Sequence, residues 1–152
     1  SGCTFNVYLP LTRKSAVNEG ASSSTVLKRG SETILLAEDD AAVRELFKSV
    51  LQENGYTVIE AVDGVDAVAQ YIQNEGQIQM LLFDVIMPRK NGKDAYDEIR
   101  KRNRDIRILF SSGYTSDIIH RQGILDEGID LIMKPVAPEA LLIRIREILD
   151  RE

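Results

Sequence analysis

The sequence has few of the features that mark secreted or membrane proteins. Its 152 residues include one cysteine, so no disulfide can form within the chain. No apolar run approaches the roughly 18 residues that a membrane-spanning helix requires. The N-terminus lacks the charged and apolar regions of a secretory signal. These absences favour a cytoplasmic location, in a reducing compartment, without membrane contact by this part of the chain.

The chain also lacks an excess of positive charge and two common nucleotide-binding motifs. Its 19 Lys and Arg against 24 Asp and Glu give a formal net charge of -5, which argues against a nucleic-acid surface. Neither a Gly-x-Gly-x-x-Gly turn nor a Gly-x-x-x-x-Gly-Lys-Ser/Thr loop occurs. The composition that is present, 43% hydrophobic and 28% charged, fits one domain with a buried core.

The composition of the chain changes near residue 32. Residues 11–31 are polar and mixed, with a run of Gly, Ala and Ser at their centre, and are predicted to form a flexible linker. Residues 1–10 alternate like a strand and end in proline. The main domain is therefore predicted to span residues 32–152.

From residue 32 onward, strand-like and helix-like patterns alternate. The helical segments carry apolar residues three and four positions apart, as in Val43, Leu46 and Phe47. Alternating strands and helices predict a parallel sheet with helices on both faces, and a doubly wound five-stranded α/β fold is the simplest arrangement. The predicted strands are 33–37, 56–60, 78–83, 106–110 and 129–133.

Polar residues with related chemistry follow four of these strands. In a doubly wound fold the ligand lies at the carboxyl ends of the strands, so these residues predict a metal and phosphoryl site. Singly, each has a simpler interpretation: an acid before a helix is usually an N-cap, a lysine is usually solvated, and Ser-Ser-Gly commonly forms a turn. Their combination favours a functional site, because separate strands bring acids, hydroxyl groups and a lysine to the same edge of the sheet. The residues are Glu38, Asp39 and Asp40; Asp84; Ser111, Ser112 and Gly113; and Lys134.

Four short motifs stand at the ends of these strands. They are Glu38-Asp39, residues 84–88 (Asp-Val-Ile-Met-Pro) followed by Asn91-Gly92, Ser112-Gly113, and Lys134-Pro135. Together they resemble the receiver domain of two-component response regulators. The resemblance covers about residues 32–152, and it implies a flavodoxin-like (βα)5 fold with strand order 2-1-3-4-5.

The resemblance implies a site that accepts a phosphoryl group with the help of a divalent cation. Asp84 would be the phosphoacceptor. The cation, Mg2+ or Mn2+, would be held by Glu38, Asp39, Asp84 and the backbone carbonyl of Ile86. Asp40, one step into the following helix, is interpreted as its cap.

The remaining motif residues would bind or accommodate the phosphoryl group. The resemblance gives Lys134 the role of balancing its charge and Ser112 that of a hydroxyl donor, while Gly113 leaves space for the group to enter. It also implies a cis peptide bond between Lys134 and Pro135. The donor would be a phosphohistidine on a histidine kinase or a histidine phosphotransfer protein.

Two residues depart from the commonest pattern of the family. Glu38 stands where many receivers carry Asp, and its extra methylene changes its reach. Leu131 stands where many members place Tyr or Phe, the ring that moves inward on activation. A phosphorylation signal would then travel through other contacts, for example the loops after Asp84 and Ser112.

The first residues resemble part of a different domain. Residues 2–10 (Gly-Cys-Thr-Phe-Asn-Val-Tyr-Leu-Pro) are similar to the final strand of a histidine-kinase ATP-binding domain. This implies a C-terminal receiver of a hybrid sensor kinase, with the parent anchored so that this domain lies on the cytoplasmic side. The receiver itself would catalyse only its own phosphorylation and dephosphorylation. Because the sequence ends after the fifth predicted helix, output is expected through proteins, and a homodimer is one option for its assembly.

Two alternative functions stay open. A receiver-like interaction domain that is never phosphorylated would share the fold, but it usually loses some of the motif residues. A phosphohydrolase with an aspartyl nucleophile would share the fold and Mg2+. It normally has a second acid two residues after the nucleophile, where this chain has Ile86. That difference disfavours the hydrolase.

Overall fold

The computed structural model describes residues 28–126 and 128–152, in which five strands alternate with five helices. The predicted strand at residues 1–10 and most of the predicted linker lie outside the described residues. In the described part, none of the helices has the length and apolar character needed to cross a lipid bilayer. The strands are β1 Thr33–Ala37, β2 Thr57–Ala61, β3 Met80–Asp84, β4 Arg107–Ser112 and β5 Leu131–Met133. The helices are α1 Ala41–Glu53, α2 Gly64–Gln73, α3 Gly92–Arg100, α4 Ser116–Arg121 and α5 Pro138–Leu149.

All four strand pairings are parallel, and the strands lie in the order β2-β1-β3-β4-β5. This confirms the predicted doubly wound, flavodoxin-like fold. The chain moves to one side of β1 to form β2 and then crosses to the other side to form β3. The switch point between β1 and β3 is where such folds bind ligands.

The sheet has a hydrophobic cluster on each face. One cluster contains buried residues of α1 and α5, and the other contains buried residues of α2, α3 and α4. Successive strand residues alternate between the two: Ile34 and Leu36 face α1 and α5, whereas Leu35 and Ala37 face the other side. Burial on both faces explains why the central strands are continuous apolar runs.

The predicted strand bounds differ from the observed ones by one or two residues, except for β1, which matches. Tyr56 was predicted to begin β2, but its N–H donates to Leu51 O (3.1 Å) and so still closes the end of α1. At the other end of two strands, pairing continues into polar residues. Asp84 pairs with Ser111, and both are strand residues.

Residues just before β1 are fixed to the domain by specific contacts. The N–H of Gly30 donates to Asn54 O (3.0 Å), and a Cβ atom on Gly30 would overlap the ring of Tyr56. Glu32 accepts from Arg146 Nη2 of α5 (2.8 Å). Gly30, near the end of the predicted linker, is therefore held against the α1–β2 turn, and Glu32, the first residue of the predicted domain, is held against α5.

The ion pair between Glu32 and Arg146 predicts a specific dependence of stability on pH. Hydrogen bonds from Arg146 lower the pKa of Glu32 from 4.5 to about 2. Since the folded-state pKa lies below the unfolded one, the stabilisation is complete above pH 4.5 and is lost as the pH falls towards 2. We expect Glu32→Gln to lower the free energy of unfolding by about 1–2 kcal/mol at pH 7, allowing for partial solvent exposure of the pair.

Urea denaturation followed by circular dichroism measures this difference at each pH. The gap between parent and Glu32→Gln should be constant from pH 7 to 5 and shrink between pH 4.5 and 2.5. Glu139→Gln, at an exposed position of α5, serves as the matched control and should show no such gap. A gap that stays constant down to pH 2.5 would contradict the assignment.

Candidate functional site

The strand register brings the predicted site residues to one edge of the sheet. Ala37 pairs with Phe83, so Glu38 and Asp84 are the next residues on neighbouring strands. On the other side of β3, Ser112 pairs with Met133, so Lys134 follows directly. The strand register alone therefore places the polar residues at the ends of β1, β3, β4 and β5 together at the carboxyl edge of the sheet.

The alternation of strand residues also places three of these side chains on one face. The residues that precede them by two positions all belong to the cluster packed by α1 and α5. Side chains two positions apart in a strand project to the same side of the sheet, so each site residue faces the same side as the cluster residue two positions before it. The pairs are Leu36 and Glu38, Leu82 and Asp84, and Ile132 and Lys134.

These side chains meet in a compact cluster of three acids and one lysine. One carboxylate oxygen each from Glu38, Asp39 and Asp84 lie within 4.8 Å of one another. The Nζ atom of Lys134 donates to Glu38 Oε2 (2.7 Å) and to Asp84 Oδ2 (2.9 Å). Glu38 is 1% exposed and Asp84 8%, whereas Asp39 is exposed. The cluster therefore opens to solvent on the side of Asp39.

The electrostatics of the cluster follow from burial and from this shared lysine. Burial raises the pKa of Glu38, and the hydrogen bond from Lys134 offsets only part of that rise. Burial lowers the pKa of Lys134, but the hydrogen bonds to Glu38 and Asp84 and the negative charges of these two acids together raise it by more, so the net shift is upward. The lysine thus stays protonated at neutral pH and holds its charge between two carboxylates.

The turn after β1 is fixed by hydrogen bonds around Glu38. The Asp40 carboxylate accepts from the N–H groups of Ala42 and Val43, which confirms it as the N-cap of α1. The Asp40 N–H donates to Glu38 Oε1 (3.1 Å). From α1, Arg44 Nη1 donates to the backbone carbonyl of Glu38 (2.7 Å). Sequence reasoning did not find Arg44, because its helical position gives no sign of this contact.

The loop between β3 and α3 packs tightly around Asp84. The N–H of Ile86 donates to Asp84 Oδ1 (3.2 Å). A Cβ atom on Gly92 would overlap the backbone carbonyl oxygen of Asp84, and the Gly92 N–H donates to Val85 O (2.9 Å). Glycine is required here by close approach. The Asn91-Gly92 motif is thus part of the support for the acid.

The other predicted residues belong to β4, to β5 and to the segments that follow these strands. Ser112 is buried, and its Oγ accepts from the N–H of Tyr114 (3.0 Å). Gly113 is exposed, with no atoms near the position of a Cβ. The Lys134–Pro135 peptide is cis, as predicted. Leu131 is partly buried against the cluster packed by α2, α3 and α4.

The donor set suits a hard divalent cation. All three clustered side chains offer carboxylate oxygens, which are ligands that Mg2+ prefers. The exposed side chain of Asp39 leaves one side of the cluster accessible to water molecules, which Mg2+ normally retains. The residues present therefore fit a magnesium site.

A second group of residues near the site was missed by sequence reasoning. Asp63 is 3% exposed and accepts from Arg89 Nε (2.6 Å), which joins the start of α2 to the β3–α3 loop. Asp63-Gly64 has the composition of an ordinary turn, and Arg89 that of a solvated loop residue. Their pairing depends on the packing of α2 beside the loop, which no local pattern encodes.

Comparison with known proteins assigns the family. Residues 34–146 match the response regulator receiver domain, and the chain belongs to this family. It is 32% identical over 159 residues to the sensor kinase CckA of Brucella abortus (strain 2308), which covers 99% of this chain and 17% of CckA. It is 38% identical over 122 residues to the response regulator MprA of Mycobacterium ulcerans (strain Agy99), covering 80% of this chain and 51% of MprA. The chain thus spans about half or less of these relatives.

Solved structures show the same fold. The receiver domain of the hybrid histidine kinase CckA has a TM-score of 0.67 and 31% identity, over 78% of this chain and 99% of that one. The chemotaxis protein CheY4 of Vibrio cholerae has a TM-score of 0.70 and 25% identity, over 78% and 99% of the two chains. This chain is a receiver domain of the two-component type.

Proposed function

We propose that this domain takes a phosphoryl group from a phosphohistidine onto Asp84, with Mg2+ bound at Glu38, Asp39, Asp84 and the carbonyl of Ile86. The observation that carries the proposal is the position of Lys134, whose Nζ contacts both Glu38 and Asp84 at the edge where the three acids meet. A structural ion pair would need one acid. Three clustered acids, two of which contact one ammonium, fit a site for a doubly charged cation and an anionic group.

In the proposed reaction a carboxylate oxygen of Asp84 attacks phosphorus in line with the leaving nitrogen. The O–P bond forms as the P–N bond breaks, and the electron pair of that bond stays on the imidazole, which then takes a proton from solvent. Lys134 balances the negative charge of the phosphoryl oxygens. Ser112 accepts from the Tyr114 N–H, which leaves its own hydroxyl proton for a phosphoryl oxygen. Magnesium, when bound, supplies further positive charge to those oxygens.

Positioning accounts for most of the catalysis in this scheme. The nucleophile is the last residue of β3, and the Ile86 N–H holds its Oδ1. Gly92 allows α3 to begin directly against the Asp84 backbone. The acid is therefore fixed before the donor arrives.

The donor is proposed to be a protein. An apolar groove runs beside Lys134 between the start of α1 and the β5–α5 loop, lined by Val43, Leu46, Phe47, Pro135 and Val136. Leu46 is 50% exposed. Apolar surface next to a charged site suits a folded partner better than a free metabolite. A histidine kinase or a histidine phosphotransfer protein fits that description.

We also propose that the chain is part of a hybrid sensor kinase. In this interpretation residues 1–10 end an ATP-binding domain, residues 11–31 are a linker and residues 32–152 are the receiver. The similarity to a sensor kinase over 99% of this chain supports the proposal, because it includes residues that precede the receiver. The similarity to MprA covers 80% of the chain.

Incubation with acetyl phosphate and Mg2+ tests the proposed function. The expected product carries one phosphoryl group, located on Asp84 by peptide mapping. The group should be released by hydroxylamine, which cleaves acyl phosphates and leaves phosphoserine intact. Chelation of Mg2+ should prevent the modification. An unmodified protein would instead favour the interaction domain that is never phosphorylated, and steady release of inorganic phosphate without a stable adduct would favour the hydrolase.

The side chains next to Asp84 and Ser112 predict slow loss of the phosphoryl group. Ile86 is 48% exposed and Tyr114 52%. They stand two residues after Asp84 and Ser112, at positions where the resemblance to receivers implies that side chains flank the attacking water. An aliphatic side chain cannot orient that water by hydrogen bonding, whereas an amide can. We therefore expect Ile86→Asn to accelerate the decay of phosphorylated protein roughly 10-fold.

Decay is measured by intact mass after removal of the phosphodonor. Ile143→Asn, at a 41% exposed position of α5, introduces the same change away from the site and should decay like the parent. Equal decay in parent and Ile86→Asn would remove the rationale.

A further inference from the structure

The β3–α3 loop is attached to the start of α2 by two neighbouring contacts. Asp63, the N-cap of α2, accepts from Arg89 Nε (2.6 Å) and from Arg89 Nη2. The next residue, Gly64, donates its N–H to Lys90 O (3.1 Å). The loop is thus joined to a second helix at two successive residues.

The acid in this attachment is buried and ionised. Asp63 is 3% exposed, and its Oδ1 accepts from the Asp66 N–H (2.9 Å) while its Oδ2 faces Arg89. Burial raises the pKa of Asp63, but the backbone hydrogen bonds together with the hydrogen bond and the positive charge of Arg89 lower it by more. The attachment to Arg89 is therefore a charged pair at neutral pH.

Arg89 has a backbone conformation that needs external support. Its φ angle is +65°, in the left-handed region, where a residue with a Cβ loses about 1 kcal/mol or more. The ion pair with Asp63 supplies a compensating interaction. Without it, we expect residue 89 to relax towards negative φ and the loop path to change.

The close approach at Gly64 depends on the absence of a side chain. A Cβ atom there would overlap the carbonyl oxygen of Lys90. Any larger residue must push the loop away from α2. The far end of the same loop is held by Gly92 against Asp84.

Because the loop is short, its attachments to α2 and to Asp84 restrict the positions of the residues between them. Seven residues, 85–91, separate β3 from α3. Ile86 lies near one end and its N–H is bonded to Asp84 Oδ1. A displacement at Arg89 and Lys90 must be absorbed within the few residues that separate them from Ile86.

We propose that Asp63, Gly64 and Arg89 form a loop clamp that positions the Ile86 carbonyl for the divalent cation. This inference rests on the proposed function, since it assigns these residues to the same metal site. They are positioning residues and touch neither the cation nor the phosphoryl group. Outer residues of this kind typically change metal affinity 10–100-fold when they are removed.

A purely structural role for the loop clamp makes a different prediction. Asp63 also caps α2, so its loss should lower stability whether or not the loop matters. Arg89→Ala and Gly64→Ala leave that cap in place. Reduced stability with unchanged Mg2+ binding is the structural outcome, and reduced Mg2+ binding in a folded variant is the outcome expected from positioning.

The test is a Mg2+ titration of the full 152-residue chain, followed by calorimetry and by the Ile86 amide resonance in 1H–15N NMR spectra. Arg89→Ala and Gly64→Ala are expected to bind Mg2+ about 10-fold more weakly than the parent. Arg89→Lys keeps a charge that can reach Asp63 and should lose less than about 3-fold. Unfolding temperatures are measured alongside.

Two control variants match the chemistry of these changes at remote positions. Arg102→Ala removes an exposed partner of Glu75 (3.5 Å), and Gly76→Ala strains a glycine with φ +88° that has no close neighbours. Both should bind Mg2+ within about 2-fold of the parent. Asp63→Asn keeps a capping oxygen but weakens the ion pair with Arg89. It replaces Gly64→Ala in the titration if that variant does not fold.

The outcomes separate this inference from the proposed function. A parent that binds Mg2+ together with Arg89→Ala and Asp63→Asn variants that bind equally well would overturn the loop clamp alone. A parent that fails to bind Mg2+ would overturn the proposed function and the loop clamp with it. Weaker binding in the clamp variants, partial recovery in Arg89→Lys and unchanged controls are the supporting result.

Discussion

Replacement of Asp84 by Asn is expected to abolish phosphorylation by acetyl phosphate and by any phosphohistidine donor. The amide lacks the anionic oxygen that attacks phosphorus. It also withdraws one of three carboxylates that lie within 4.8 Å of one another, so Mg2+ binding should weaken as well. Of the two acids that remain, Glu38 is 1% exposed and so is poorly accessible to a phosphodonor, whereas Asp39 is exposed.

The measurement is intact mass after incubation with acetyl phosphate and Mg2+. Asp84→Asn should show no adduct under conditions that modify the parent fully. Asp105→Asn, at an exposed position before β4, is the matched control and should be modified like the parent. A hydroxylamine-sensitive adduct of full yield on Asp84→Asn would mean that another carboxylate is the acceptor, and Asp39 would be the first to test.

The fold could be predicted from the sequence because strand-like and helix-like apolar patterns alternate along the chain from residue 32 onward. Period-two alternation in β1 separates Ile34 and Leu36 from Leu35 and Ala37, and each pair enters a different hydrophobic cluster. Burial of both faces makes β3 apolar throughout, so its strand is easily recognised. Parallel connections then restrict the topology to few choices.

The ends of the strands were harder to predict, because backbone pairing does not require apolar side chains. The sequence predicts that Asp84 and Ser112 follow strands, yet both are the last residues of their strands. The Val85 N–H donates to Ser111 O (3.0 Å), which continues the ladder through polar positions. This matters for the site, since a strand holds a side chain more rigidly than a loop does.

The motif residues could be predicted as a set, whereas their supporting residues could not. Glu38, Asp84 and Lys134 stand at strand ends, where topology alone brings them together. Arg44 acts through a contact with the turn that precedes its own helix, and Asp63 and Arg89 act through a contact between residues 26 positions apart. Such contacts depend on how α1 and α2 pack on the sheet, and a single sequence contains no local sign of that geometry.

Replacement of Lys134 by Met should separate phosphoryl transfer from metal binding. Methionine keeps an unbranched apolar side chain in place of the lysine stem but removes the ammonium that contacts Glu38 and Asp84. Loss of one such charge at a phosphoryl site should slow uptake from acetyl phosphate about 100-fold. Mg2+ should bind at least as tightly as in the parent, because a positive charge has been removed from beside its ligands.

The stability of this variant needs its own measurement. Glu38 is 1% exposed, and without Lys134 its carboxylate loses the cation that faces it. Burying an unpaired charge is costly, so we expect a lower unfolding temperature that Mg2+ partly restores. Phosphorylation rates are therefore compared at saturating Mg2+ and at a temperature where circular dichroism shows both proteins folded.

Two further variants decide what the lysine contributes. Lys134→Arg keeps the charge, but a planar guanidinium cannot reproduce a compact ammonium between two carboxylates, so an intermediate rate is expected. Lys101→Met, at the exposed end of α3, should behave like the parent. If Lys134→Met were phosphorylated at the parent rate, its charge would play no part in transfer. If Mg2+ binding and transfer fell together, Lys134 would act by holding Glu38 and Asp84 in place, because loss of charge balance alone would leave the metal bound.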